Sequence, residues 1–399
     1  MERSPQRWAS CVEAKSLSDW RRAGLCFKNT AAPQLEPKGG RKDPRGNSIR
    51  LFRIMAPMSV VFLTNALDGR QDEGHRNYAR CVGEAMAHMG VRVLGIPRVS
   101  PHATCMLFPG TKTIGALKEL RPEVVVYVPT QSATLATFLR IASIRAITGA
   151  RVLLIALQVR PLSLGSAVVA RFFGPERILT PSEELLRKGI RLGLPIEFAP
   201  TGVDIERFAP VDMSTMASLR AKHKLNAAGR IILHVGHVKP LRNLEWMGKI
   251  ADRLNVTALI IGSTSGGVDG RVLAMLRESG VDVRVGLVED LQELYQLADV
   301  YVFPVIDERG AIGVPLSVLE AMGCDLPVVT TSFGGLPRMF RQTPGLQYVR
   351  SLDEALDAVS SAFRLVRSEV TTSELVSPYS WKNIAAHVLQ EAIEICGGN

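Results

Sequence analysis

From residue 59 onward, short apolar runs alternate with stretches whose apolar residues recur every three or four positions. Val60–Leu63, Val91–Ile96, Glu123–Val128, Arg151–Leu157 and Arg177–Thr180 read as buried strands, being short, rich in β-branched residues and bounded by turn formers. Helical spacing falls between them, at about 75–89, 131–148 and 182–192. The pattern pauses at Ala199-Pro200-Thr201-Gly202-Val203-Asp204 and Pro210, passes a helix near 213–224, and restarts. Arg230–Val235, Ala258–Gly262, Val281–Val285, Val300–Val305 and Pro327–Thr331 are the new strands. Helices are expected at about 243–254, 268–279, 290–298, 314–323 and 351–367, with a last one at 381–395. Strands alternating with helices predict parallel βαβ units. The fold class is therefore α/β, with two Rossmann-like doubly wound halves joined near residue 205. Ligands of such sheets bind outside the carboxyl ends of the strands, so two facing halves predict an interdomain cleft.

Residues 1–56 break this pattern. They carry Arg21-Arg22, Gly39-Gly40-Arg41-Lys42 and Pro44-Arg45-Gly46, and +7 of the net charge of +10 falls within residues 1–54. We read them as a disordered basic extension. Met55 and Met58 stand directly before the first strand, as a mis-set start codon would leave them, and the segment is expected to be dispensable. The remaining boundaries are 57–205 for an N-terminal domain, 206–380 for a C-terminal domain, and 381–399 for a helix packing back toward the first. The body is nearly neutral, which argues against a nucleic-acid surface. With 46% hydrophobic and 22% charged residues, the chain is not collagenous, coiled-coil or wholly disordered. Six cysteines form no CxxC pair and have no histidine at metal-ligand spacing, which predicts reduced thiols and no zinc site. Val124–Leu139 is too short and too polar to span a bilayer, and the first 30 residues lack the apolar core of a signal peptide. A cytoplasmic protein is expected.

Four segments carry candidate chemistry. Gly74, at the start of the first helix, would let a ligand approach exposed amides, although a plain βα turn explains it too. No GxGxxG accompanies it, so a dinucleotide cofactor is not supported. Gly236-His237-Val238-Lys239-Pro240-Leu241-Arg242-Asn243 is a basic loop between strand and helix; it suits a diphosphate or is merely solvated. Gly262 opens a loop of small residues, Gly262–Gly267, that permits close ligand approach. Finally, Gly310-Ala311-Ile312-Gly313 leads into a helix whose apolar face is interrupted by Glu320, a carboxylate able to accept two hydrogen bonds from a ribose. His75 and Gln158 lie at carboxyl ends of strands on the other half, facing the expected cleft.

Taken together, these segments resemble the retaining glycosyltransferases of family 4, of GT-B architecture, over roughly residues 58–395. The resemblance rests on Thr180-Pro181-Ser182, Pro200 to Phe208, Gly236 to Asn243, Asp299-Val300-Tyr301-Val302-Phe303-Pro304 and Leu319-Glu320-Ala321-Met322-Gly323. It implies transfer of a sugar from a nucleoside diphosphate sugar to a glycan, lipid-linked or small-molecule acceptor hydroxyl, without a metal or other cofactor. It also implies site roles. Arg242 would be the main diphosphate contact, assisted by Lys239 or His237, with amides near Gly313 adding dipoles and Glu320 holding the ribose. The family's pattern has two glutamates separated by seven residues; the place of the first is taken by Ile312, and Asp307 and Glu308, just upstream, are candidate substitutes if the loop is longer here. A nucleotide-sugar epimerase of the same fold and a non-catalytic nucleotide-sugar-binding protein remain alternatives. Arginines 140, 145, 151, 160 and 171, interleaved with Phe138, Leu139, Ile141, Ile144, Phe172 and Phe173, suggest a peripheral contact with the inner face of the cell membrane, unless the apolar residues face the sheet and the arginines merely face water.

Overall fold

The computed structural model describes residues 59–66, 73–96, 110–226, 229–264 and 267–397. The basic extension 1–56, Met58, Ser265 and Gly266 lie outside the described residues.

Two six-stranded, all-parallel sheets organise the chain. In the first, β1 (Val60–Thr64), α1 (Gly74–His88), β2 (Arg92–Gly95), α2 (Thr111–Leu120), β3 (Val124–Val128), α3 (Leu135–Thr148), β4 (Arg151–Ile155), α4 (Leu164–Phe173), β5 (Arg177–Thr180), α5 (Glu183–Arg191) and β6 (Ile196–Phe198) follow one another. The spatial order is β2-β1-β3-β4-β5-β6. After α6 (Met213–Lys222) the second sheet is built from β7 (Ile231–Gly236), α7 (Glu245–Leu254), β8 (Thr257–Gly262), α8 (Gly270–Glu278), β9 (Asp282–Val285), α9 (Leu291–Leu297), β10 (Val300–Phe303), α10 (Leu316–Gly323), β11 (Val328–Thr331), α11 (Leu336–Met339), β12 (Leu346–Val349) and α12 (Leu352–Ala362). Its order is β12-β11-β10-β7-β8-β9. α13 (Thr372–Val376) and α14 (Trp381–Gly397) complete the chain.

The central strands are covered by helices on both faces, which is why β1, β3 and β10 are buried at every position and read as unbroken apolar runs. The sequence reading also missed α2, α11 and α13, and three further elements that it missed lack that signal. β6 (Ile-Glu-Phe) and β12 (Leu-Gln-Tyr-Val) are short edge strands, half-buried and mixed in polarity. α4 is apolar on both faces and carries no helical alternation.

Side chains and backbone tie the halves together around the carboxyl ends of the strands. The Gly313 amide donates to the Leu157 carbonyl at 2.9 Å, and Thr201 Oγ1 donates to the Val314 carbonyl at 3.0 Å. Ser182 Oγ donates to Glu308 Oε2 at 2.5 Å, while Arg338 Nε donates to Glu183 Oε2 at 2.9 Å and its guanidinium lies over the Phe198 ring. α14 packs on α1, β3 and β4 of the first half. Arg177 on β5 pairs with its Glu391, Arg151 on β4 donates to the Ile395 carbonyl, and Trp381 meets Tyr78 edge-on at 5.7 Å.

These contacts correct part of the expected membrane face. Phe138, Ile141 and Ile144 are wholly buried on the inner side of α3. Arg140 donates to Tyr127 Oη, Arg145 to the Gly174 carbonyl, and Arg151 to the end of α14, so three of the five arginines are engaged within the protein.

Gly313 tests the junction. A Cβ there would meet Ser182 N at 2.4 Å and the Pro181 carbonyl carbon at 2.5 Å, both backbone atoms of the other half. Gly313→Ala should therefore force the halves apart. We expect a loss of about 1–3 kcal/mol in thermal unfolding and a larger radius of gyration in solution scattering; an unchanged radius would show that the junction does not set the closure.

Candidate functional site

The second sheet brings a cation to the cleft through a tight geometric fit. β7 ends at Gly236, and the turn Pro240–Arg242 carries the Arg242 side chain back across that end. A Cβ on residue 236 would sit 2.4 Å from Arg242 Nη1 and 3.2 Å from His234 Nε2, so only glycine lets the guanidinium lie there. Arg242 is 6% exposed, and its Nε has no acceptor among the described residues. Burial pushes its pKa down to about 10, with no carboxylate opposing the shift, so it stays charged at neutral pH. Beneath it His234 is fully buried, donates from Nδ1 to the Val302 carbonyl at 2.9 Å and is held near a pKa of about 3 by burial and by Arg242. It is therefore neutral and adds no charge.

Glu320 supplies the opposite sign. α10 is buried along nearly its whole length, and Glu320 is carried into the interior with Leu319 and Ala321 on either side. The carboxyl is 7% exposed and accepts one hydrogen bond, from Tyr295 Oη at 2.8 Å. Burial raises its pKa to about 7, although the Tyr295 hydrogen bond and Arg207 favour the charged form.

Both groups line a cavity of about 150 Å³ at the carboxyl ends of the two sheets, together with Gly74, His75, Gln158, Gly236, His237 and Ile312. Glu320 also borders a neighbouring cavity of about 460 Å³ that reaches Gly262, Arg207 and Trp381. The described residues thus bring together His75, Gly74, Gly236, His237, Arg242 and Glu320, with Gly262 one cavity further on. His75, in the first turn of α1, lies 3.3 Å from Glu73 Oε2; burial holds its pKa below the ordinary value despite Glu73, and Arg76 and Arg160 push the same way.

Other expectations are placed elsewhere. Lys239 is half-buried and lines neither cavity. Gly313 does not offer its amide to a ligand, because the Leu157 carbonyl takes it and the Ser182 backbone fills the space above its Cα. Neither acid expected to replace the first glutamate reaches the cavities. Asp307 pairs with Arg309, and Glu308 accepts from Ser182 Oγ and from the Glu184 amide at the start of α5. Ile312 itself packs on Gly74, its Cδ1 3.3 Å from where a Cβ would stand. The close approach that Gly74 permits is therefore taken by a side chain of the other half. Sequence reasoning missed Asn77, Arg80 and Trp381, which come from helices without a local motif, and read Arg207 only as part of a linker.

Glu320 makes stability pH-dependent with a definite sign. The folded state holds its proton up to about pH 7, the unfolded state only to about 4.5, so stability falls as pH rises through that window. Glu320→Gln removes the penalty. The variant should match wild type at low pH and become more stable by roughly 2–4 kcal/mol above neutrality. Melting curves across the range check this, and a pH-independent difference would refute it.

Residues 229–364 match the family model described as Glycosyl transferases group 1. The D-inositol 3-phosphate glycosyltransferase of Mycobacteroides abscessus is 33% identical over 153 residues, covering 36% of this chain and 32% of that protein. The GDP-mannose-dependent monoacylated alpha-(1-6)-phosphatidylinositol monomannoside mannosyltransferase of Corynebacterium glutamicum is 27% identical over 165 residues, covering 38% of this chain and 42% of that one. The chain matches about a third of the length of the first of these curated relatives. Among solved structures, a glycosyltransferase from Rickettsia africae superposes with a TM-score of 0.67 at 12% identity, covering 86% of this chain and all of that one. Anabaena Alr3699/HepE in complex with UDP superposes at 0.64 and 13%, covering 84% and 100%. The fold is thus GT-B, two Rossmann-like halves across a cleft, and its second half carries the group 1 glycosyl transferase pattern.

Proposed function

We propose that the chain is a retaining glycosyltransferase that moves a sugar from a nucleoside diphosphate sugar to an acceptor hydroxyl, in the synthesis of a glycan, glycolipid or other envelope component. The observation that carries this reading is Arg242: a buried, charged guanidinium with no carboxylate partner among the described residues, set at the carboxyl end of β7. A cation held this way is costly unless a ligand supplies the anion. A diphosphate would do so, and its negative charge grows as the glycosidic bond breaks, when a fixed cation helps most. His237 stands beside it in the same cavity, and Glu320, which lines it too, would accept from the ribose hydroxyls. The matched relatives named above act, by name, on inositol phosphate and on a phosphatidylinositol mannoside, which supports a polyol or lipid-borne acceptor.

Thermal shift and kinetics with a panel of nucleoside diphosphate sugars test this reading. Arg242→Met should melt at or above wild type without ligand, because an unpaired buried charge has gone, yet lose the shift that nucleoside diphosphates give wild type. Its kcat should fall more than its KM rises. Glu320→Gln should instead weaken nucleoside binding by about 1–3 kcal/mol, whichever sugar is attached, and act mainly on KM. If both variants keep wild-type kinetics, the loop and helix do not form the donor site.

A second reading is favoured by Ile312, which presents a methyl group where the family has a carboxylate and closes on Gly74. On that reading the chain binds a nucleotide sugar without transferring it. Calorimetry that finds donor binding, with no transfer to any acceptor offered, would support the second reading over the first.

A further inference from the structure

We propose that the outer face of α4, with the adjoining ridge of α3, is a docking surface for an anionic lipid bilayer. The inner face of α4, Ser166, Ala167 and Ala170, is buried against the first sheet. The outer face is apolar as well. Leu164, Val168 and Phe172 are spaced four residues apart and stand 75%, 56% and 72% exposed, and Phe173 beside them is 58% exposed. Leu135 and Leu139 continue the patch on α3, which packs alongside. A surface helix meant for water carries its charges on that side; this one carries its largest apolar groups there, which marks an interaction surface.

Charge selects the partner. Residues 124–175 contain five arginines and no Asp, Glu or Lys. Arg140 and Arg151 are engaged within the protein and Arg145, half-exposed, is neutralised by Glu176 at 3.0 Å, whereas Arg160, just before α4, and Arg171, in its last turn, are exposed. Aromatic and aliphatic side chains flanked by arginines, with no carboxylate among them, match the boundary between anionic headgroups and acyl chains. A second copy of this chain fits less well, because a two-fold contact sets the same cationic face against itself. Among the described residues no helix is long and apolar enough to cross a membrane, so the contact is interfacial.

The segment that leads into α4 runs past the cleft. Gln158 lines the cavity, accepts from Arg160 Nη2 at 2.9 Å, and precedes the first turn of α4 by a short loop. A bilayer on this face would lie beside the cleft mouth. The docking inference does not rest on the catalytic one, since vesicle binding needs no donor.

Flotation of the full chain with phosphatidylcholine vesicles, with and without phosphatidylglycerol, tests it. The chain should float with the anionic vesicles, less so in high salt, and stay behind with phosphatidylcholine alone. The triple variant Leu164→Ser, Phe172→Ser, Phe173→Ser should bind at least about a hundredfold more weakly, as three apolar side chains leave the lipid phase. Arg171→Glu should weaken binding about tenfold. If the triple variant melts early, Phe172→Ser combined with Arg171→Glu decides. Wild type that fails to float with anionic vesicles, or surface variants that float as well as it does, would overturn the proposal. A dimer that the serine variant dissociates, without flotation of either protein, would assign the face to a second copy instead.

Discussion

The hydrogen bond from the Gly313 amide to the Leu157 carbonyl holds a loop of the second half against the carboxyl end of β4 in the first. Parallel sheets place loops and helix N-termini at one end, but each sheet alone offers only half of a site. Around Gly313 the closure is tight, with backbone against backbone at Ser182 and with Thr201, Glu308 and Arg338 fastening the edges. His75 and Gln158 reach the same cavity as Arg242 and Glu320 because these junctions hold. α14 adds a second fastening, packing the last described helix on the first sheet and clamping its carboxyl end with Arg151 and Arg177.

Inside that closure the protein keeps two buried ionisable groups whose shifts run in opposite directions. Arg242 is pushed down to about 10 and remains a cation; Glu320 is pushed up to about 7 and sits near half-protonation. A core built for stability would pair them or replace them with apolar residues. They are instead held apart by the shape of the cleft, Arg242 over Gly236 and Glu320 on Tyr295. Groups perturbed by desolvation and gathered in one cleft mark a candidate ligand site.

The acidic residues nearby have been diverted into structure. Glu308 caps the start of α5 across the junction, and Asp307 is paired with Arg309. The wall between the two halves is apolar at Ile312. Among the described residues, the smaller cavity has Glu320 as its carboxylate from the second half, Glu289 bordering the larger one, and Ile312 stands with His75 on the wall of the smaller.

The alternation of apolar runs with helical spacing determined the two doubly wound halves and the cleft between them. Buried parallel strands must be apolar on both faces, a constraint written into consecutive residues. The same local logic marked Gly236, Arg242 and Glu320, because a glycine, a cation after a strand and a carboxylate in an apolar helix each stand out against neighbours in sequence. What lay beyond the sequence depended on neighbours distant in it. The hydrogen bonds of Arg140, Arg145 and Arg151, the pairing of Glu308 with Ser182, and the packing of Ile312 on Gly74 each join residues of separate elements. Periodicity tells which residues share a face, but not which partner that face meets. Edge strands β6 and β12 were illegible for a related reason: half-exposed, they need not be apolar, and only pairing with β5 and β11 makes them strands. The engagement of the Gly313 amide by Leu157 was decided by tertiary structure alone, since it depends on which carbonyl the other half brings against that loop.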